Sequence, residues 1–158
     1  MWIIFPKCIF IATGSNAIKK ENRKTIIIDA GHGGRDPGKV GITKALEKDI
    51  NLIIALQLKE LLESQNMQVI MTREEDKDLS TTSSNLKASD MKERISLIQE
   101  SNADLVVSIH QNSFSDPEVY GAQCFYYTAS EEAKELASTI QKQIITSTNQ
   151  TKIREIKS

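Results

Sequence analysis

Residues 25 to 29 read TIIID, a β-branched run with charges before it and glycines after it. Such a run is too short for a buried helix and fits a strand covered on both faces. It is followed by AGHGGRDPGKVGIT, residues 30 to 43, which holds five glycines and a proline. That composition marks a loop with unusual backbone angles and a close approach to its main chain. A helical pattern over Leu46 to Glu63 comes next, with Leu46, Ile50, Ile53, Ile54, Leu56, Leu58, Leu61 and Leu62 on a broad apolar face. MQVIMT (Met67 to Thr72) reads as a second strand, DLVVSIH (Asp104 to His110) as a third and YGAQCFYYT (Tyr120 to Thr128) as a fourth. Residues 73 to 86, charged and then Ser/Thr-rich, read as a solvated loop. An amphipathic helix is expected over Asp90 to Gln99. Another is expected to run from an N-cap at Ser130 to about Ile145, with Glu131 and Glu132 in its first turn. The order β-α-β-α-β-β-α predicts an open α/β sheet, mixed but mainly parallel, flanked by helices.

The remaining features narrow the function classes. Net charge is −1 and aromatics are 5% of the chain, so neither a basic field nor a stacking platform favours nucleic acid. Cys8 and Cys124 make no CxxC spacing, and no disulfide framework is indicated. Residues 1–24 divide from the rest. MWIIFPKCIFIATGSNA is apolar but interrupted by Pro6 and Lys7, too short for a full membrane span. It reads as an export signal or membrane tether, with Ser15-Asn16-Ala17 as a small-residue exit, against the plain reading of an N-terminal tail. IKKENRK is a solvated linker. Residues 25–158 form the expected functional domain.

The chain has two histidines, and both lie just past an apolar strand. His32 follows TIIIDAG and His110 closes LVVSI. In open α/β sheets ligands collect at the carboxyl ends of strands, so two histidines at that edge are placed to share a metal. The plain alternative is one core histidine and one loop histidine. Zinc with two histidines often takes a carboxylate as third ligand. Asp29, Asp36, Glu47 and Asp49 are the candidates. Asp36 and Asp49 have ordinary readings as a loop turn and a solvated helix face. Glu47 is better placed, because the loop can fold the start of the first helix back over the strand end; alternatively it is a first-turn acid favouring the helix dipole. Asp29 is expected to be a supporting acceptor that fixes a ring tautomer or the loop. The glycines match neither phosphate-binding pattern, G-x-x-x-x-G-K-S/T or G-x-G-x-x-G, so a nucleotide site is not expected.

DAGHGGRDPGKVG, then LEK, then SIHQNS, together resemble the zinc-dependent N-acetylmuramoyl-L-alanine amidases, in particular the sporulation branch acting on spore cortex. MTREEDKDL and GAQCFYY are also similar to that branch. The resemblance covers residues 25 to 158. It implies zinc held by His32, Glu47 and His110, with Asn112 lining the substrate cleft. It implies hydrolysis of the amide between the lactyl group of N-acetylmuramic acid and L-alanine in peptidoglycan. Stem-peptide removal then prepares muramic residues for conversion to muramic lactam, a germination marker. A regulatory protein partner is implied as well. The family's catalytic glutamate sits in a stretch like V-E-x-G-F-x-S-N. No E-x-G-F occurs in this sequence, so the base, with the family's last strand and helix, is expected beyond Ser158. Glu118, in the turn-like SDPEVYG, is not a convincing substitute. A missing general base removes ~10²–10⁴-fold of rate. The alternative function is therefore an inactive zinc-binding remnant or a peptidoglycan- or partner-binding module.

Overall fold

The computed structural model describes residues 23–82, 84–113, 116, 118–149 and 151–158. The expected signal or tether in the first residues lies outside the described residues, apart from its final linker positions. The chain divides into two compact units, one extending through Gln111 and one of Asn112–Ser158. Among the described residues, no helix is long and apolar enough to cross a membrane.

The first unit is a three-stranded parallel sheet with two helices. Strand β1 (Thr25–Ala30) is central, between β2 (Gln68–Met71) and β3 (Leu105–Ile109). Helix α1 (Glu47–Ser64) connects β1 to β2, and α2 (Leu86–Glu100) connects β2 to β3. The parallel register pairs Ile28 with Met71 and Ala30 with Ile109, so the three strands end at one edge. At the opposite end Asp104 accepts from the Thr25 N–H at 2.8 Å and from Lys24 Nζ at 2.6 Å, which fixes where β1 starts against β3.

Side chains alternate across a strand, and β1 uses both faces. Ile28 and Ala30 pack with Ala55 and Met71, joined by Leu52, Leu56, Leu58 and Leu62 of α1. The alternate residue Asp29 meets α2 instead. Its Oδ1 accepts from Arg94 Nη1 at 2.5 Å and from Thr72 Oγ1 at 2.9 Å, and its Oδ2 accepts from Ser108 Oγ at 2.7 Å. Burial raises the Asp29 carboxyl pKa, but the Arg94 charge and these hydrogen bonds more than offset it, leaving it below the ordinary value. Helix α2 starts one turn earlier than its apolar pattern indicates. Asn85, in the left-handed region at φ 54°, precedes it, and Leu86, Lys87 and Ala88 are good helix formers.

In the second unit α3 spans Glu131–Ser147. Ser130 caps it as the sequence indicates, its Oγ accepting from the Ala133 N–H at 3.1 Å. The fourth strand expected over Tyr120–Thr128 does not form. Among the described residues that stretch makes a single parallel bridge, Phe125 with Lys157. Gly121 adopts φ 95°, Thr128 is its one β-branched residue, and Tyr120, Phe125 and Tyr127 are exposed. Aromatic content alone does not make a strand where the rings stay exposed.

The Asp29–Arg94 pair is a buried charge pair, and removing one partner leaves the other uncompensated. Arg94→Leu is expected to lose about 3–5 kcal/mol of unfolding free energy at neutral pH in urea denaturation. The Asp29 pKa is lowered on folding, so its stabilisation is present above the unfolded carboxyl pKa and is lost as pH falls through the folded one. The difference between wild type and Arg94→Leu is therefore expected to shrink as pH drops through the acid range; a constant difference would refute it.

Candidate metal centre

The shared edge of the sheet brings together three segments: the end of β1, the start of α1 and the end of β3. His32 follows β1 in the left-handed region at φ 63°. The loop after it closes tightly, with the Gly33 and Asp36 N–H groups each donating to the other residue's carbonyl at 3.0 Å. This returns Asp36 to His32, where its Oδ2 lies 2.8 Å from Nδ1. Burial raises the Asp36 pKa, but the His32 contact and the Gly38 N–H more than offset it. This contact braces the ring at Nδ1 and turns Nε2 toward the start of α1, 3.3 Å from Glu47 Oε1.

Glu47 opens α1 and is 4% exposed. The loop folds back over it, as expected from sequence. The Glu47 N–H donates to the Lys39 carbonyl at 2.9 Å, and the Lys39 N–H donates to Glu47 Oε2 at 2.8 Å. The other oxygen, Oε1, accepts from the Gln111 N–H at 2.9 Å. Burial works against its ionisation, but these two N–H groups and His32 pull the carboxyl below its ordinary value.

Oε1 is also the meeting point of the two rings. His32 Nε2 lies 3.3 Å from it and His110 Nδ1 lies 3.2 Å from it. The rings meet edge to face, with centroids 4.9 Å apart at 82°. One donor atom from each of His32, Glu47 and His110 lies within 4.8 Å of the others. Donors bound at about 2.0–2.1 Å in a tetrahedral zinc site lie roughly 3.3 Å apart. The two distances to Glu47 Oε1 match that spacing, and two imidazoles with a carboxylate are a donor set that suits such an ion.

The approach is close enough to specify glycine. A Cβ on Gly31 would lie 2.2 Å from His110 Cε1, and one on Gly38, at φ 67°, would lie 2.7 Å from His32 Cδ2. Of the other carboxylates, Asp49 is exposed on α1. Asp29 bonds Arg94, Thr72 and Ser108, and it reaches the loop through Arg94, whose Nη2 donates to the His32 carbonyl at 2.7 Å. The carboxylate that braces His32 at Nδ1 is Asp36, a candidate third ligand with an ordinary reading as a loop turn; its spacing four residues after His32, across two glycines, was the available signal. Asn112 is exposed and begins the second unit, and Glu118 is exposed within it.

Residues 26–158 match the family model described as N-acetylmuramoyl-L-alanine amidase. The chain belongs to this family. The germination-specific N-acetylmuramoyl-L-alanine amidase of Bacillus subtilis is 42% identical over 125 residues, covering 77% of this chain and 52% of that protein. The amidase AmiC of Escherichia coli is 39% identical over 119 residues, covering 72% of this chain and 26% of that one. Among solved structures, the CwlD amidase of Clostridioides difficile, in complex with the GerS lipoprotein, is 44% identical. It superimposes with a TM-score of 0.80 over 85% of this chain and 72% of that one. The chain thus spans about half, or less, of the length of these curated relatives. Within the amidase family match lie all three convergent residues, their glycine loop and the Asp36 brace.

Gly31→Ala tests the close approach. Its methyl would overlap the His110 ring, so the ring must move or the strands separate. The expected result is a stability loss of about 1–3 kcal/mol together with displaced His110 imidazole signals by NMR. Unchanged His110 signals in a folded variant would contradict the described packing.

Proposed function

We propose that this chain is a zinc-dependent N-acetylmuramoyl-L-alanine amidase acting on peptidoglycan at the cell envelope, in spore cortex maturation. The observation that carries the reading is the convergence of His32, Glu47 and His110 on one point at the sheet edge. Family membership supports the amide bond between N-acetylmuramic acid and L-alanine as the target. The germination-specific role named for the Bacillus subtilis relative supports the spore setting and muramic lactam formation. In this reading residues 25–158 are amidase domain and residues 1–24 an export or tethering segment. A regulatory protein partner belongs to the reading too, supported by the lipoprotein complex of the Clostridioides difficile neighbour.

His32, Glu47 and His110 would hold the zinc. Zinc, when bound, supplies a Lewis acid for the amide carbonyl and a more acidic water. The chain's own residues prepare that role. Asp36 braces the His32 ring at Nδ1, which turns Nε2 toward Glu47 Oε1. The Lys39 and Gln111 N–H groups hold both Glu47 oxygens in place and keep the group ionised. Three protein donors leave one tetrahedral position for solvent or substrate. The His110 side chain is 45% exposed, so the centre is open to solvent on that side. Asn112, two residues on, is assigned to the substrate cleft. Arg94 links Asp29 to the His32 carbonyl and steadies the loop.

Metal analysis of the purified chain is expected to give about one zinc per molecule, with the ion lost in His32→Ala. Incubation with peptidoglycan is then expected to release stem peptides carrying a new L-alanine amino terminus. Absence of zinc overturns the reading. Zinc without release would keep the metal centre but assign the proton acceptor to a residue outside these 158, leaving the chain as a binding module.

A further inference from the structure

Behind the three convergent residues lies a second, fully buried layer centred on one carbonyl. The Gly31 carbonyl, the last acceptor before His32, receives two side-chain donors. Asn51 Nδ2 donates to it at 3.1 Å and Arg73 Nη2 donates to it at 3.1 Å. Asn51 and Arg73 are 0% and 2% exposed. Neither is needed to cap an element or fill the apolar core.

Each residue joins the His32 segment to another ligand-bearing segment. Arg73 Nη2 also donates to the Lys48 carbonyl at 2.7 Å, one residue after Glu47, and Arg73 Nε donates to the Ala30 carbonyl at 2.9 Å. The guanidinium thus clamps the end of β1 to the first turn of α1. Asn51 sits one turn along α1 from Glu47. Its Oδ1 accepts from Gln111 Nε2 at 3.1 Å. Gln111 follows His110, and its N–H is the one that donates to Glu47 Oε1. One amide and one guanidinium therefore fix all three segments to each other.

The chemistry of the clamp is unusual for an ion. The hydrogen-bond acceptors of Arg73 are four neutral carbonyls: Ala30, Gly31, Lys48 and Glu75. Burial and the neighbouring Arg94 lower its pKa more than the charges of Asp76, Asp29 and Asp49 raise it, so those carboxylates only partly offset its burial. What a planar fork provides is simultaneous reach to carbonyls on different segments, which a lysine ammonium on a flexible stem does not reproduce.

We propose that Asn51 and Arg73 are positioning residues that set the spacing of His32, Glu47 and His110 through the Gly31 carbonyl. The proposal rests on the metal-centre reading for its purpose, but its geometric content is independent of any ion. His32 and His110 are the only histidines of the chain, so their imidazole NMR signals report ring placement directly, with His32→Ala supplying the assignment. In Asn51→Leu and Arg73→Lys of the full chain, without added metal, both sets of imidazole signals are expected to shift. Zinc affinity measured by competition with a chelator is expected to fall ~10–100-fold, the range for loss of groups that orient ligands. Cobalt(II), used as a coloured probe, is expected to show altered visible bands.

A purely structural role predicts a lower urea midpoint with unchanged imidazole signals and unchanged metal affinity per folded molecule; that result overturns the proposal. Arg73→Lys behaving like wild type in all three readouts also overturns it, because charge alone would then suffice. If Arg73→Lys fails to fold, Asn51→Leu decides, since Arg73 still holds the Gly31 carbonyl there. Shifted imidazole signals in a protein whose wild type takes up no zinc would support the positioning role while removing the metal reading.

Discussion

Everything at the site depends on where β1 ends relative to its two neighbours. In a parallel sheet the strands finish at one edge, and register decides which residues meet there. Ala30 opposite Ile109 puts the next residues, Gly31 and His110, side by side, and the Gly31 N–H donates to the Ile109 carbonyl at 3.1 Å. A slip of one residue would turn Asp29 into the apolar layer under α1 and take Ile28 to the polar side. The isoleucines exclude that register by their burial, and Asp104 excludes it at the other end by holding the Thr25 N–H. The edge that carries the two histidines is thus specified by contacts far from it.

The loop after β1 faces a different problem. It has a left-handed histidine and three carbonyls, those of Gly31, His32 and Gly34, that accept from side chains. Cations answer most of this. Lys48 Nζ donates to the Gly34 carbonyl at 2.9 Å and to Asp76 Oδ2 at 2.6 Å. Arg35 makes a two-pronged pair with Asp78 at 2.8 and 3.0 Å. Asp76 and Asp78 in turn accept from the Gly34 and Arg35 N–H groups. The charged stretch after β2, which reads as solvated loop, is in fact the wall against which the glycine loop is built. Polar groups taken from water here are each given a partner, as burial requires.

What could be read from sequence followed local pattern. The three strands of the first unit and α1 fall within about a residue of where periodicity puts them, because a β-branched run and an apolar helical face are local signals. His32 and His110 stood out because each lies just past a strand end, where the topology gathers ligands; Glu47 was the better placed of four carboxylates, and the family resemblance singled it out. Asp36 was less legible: a carboxylate in a turn has an ordinary explanation, and only the hydrogen-bonded return of the loop gives it another. Asn51, Arg73 and Arg94 were not legible. Apart from the Glu75 carbonyl beside Arg73, each acts on main-chain carbonyls contributed by segments twenty or more residues away, and a carbonyl has no sequence signature. The Tyr120–Thr128 stretch misled in the other direction, since aromatics that pack in a covered strand are equally compatible with an exposed, irregular one.

The connection between β1 and β3 has a bearing on how the chain assembles. Thr25 and Asp104 are 79 residues apart, yet they bond directly. Closing so long a segment costs chain entropy before any reward is collected, and parallel pairings of this span form slowly. His32 and Glu47 can approach as soon as the glycine loop folds onto α1. His110 arrives only when β3 docks, and the Gln111 N–H reaches Glu47 in the same event. Glu47 Oε2 thus has a partner from within its own loop, whereas Oε1 owes both the Gln111 N–H and the His110 ring to the long-range pairing of β3.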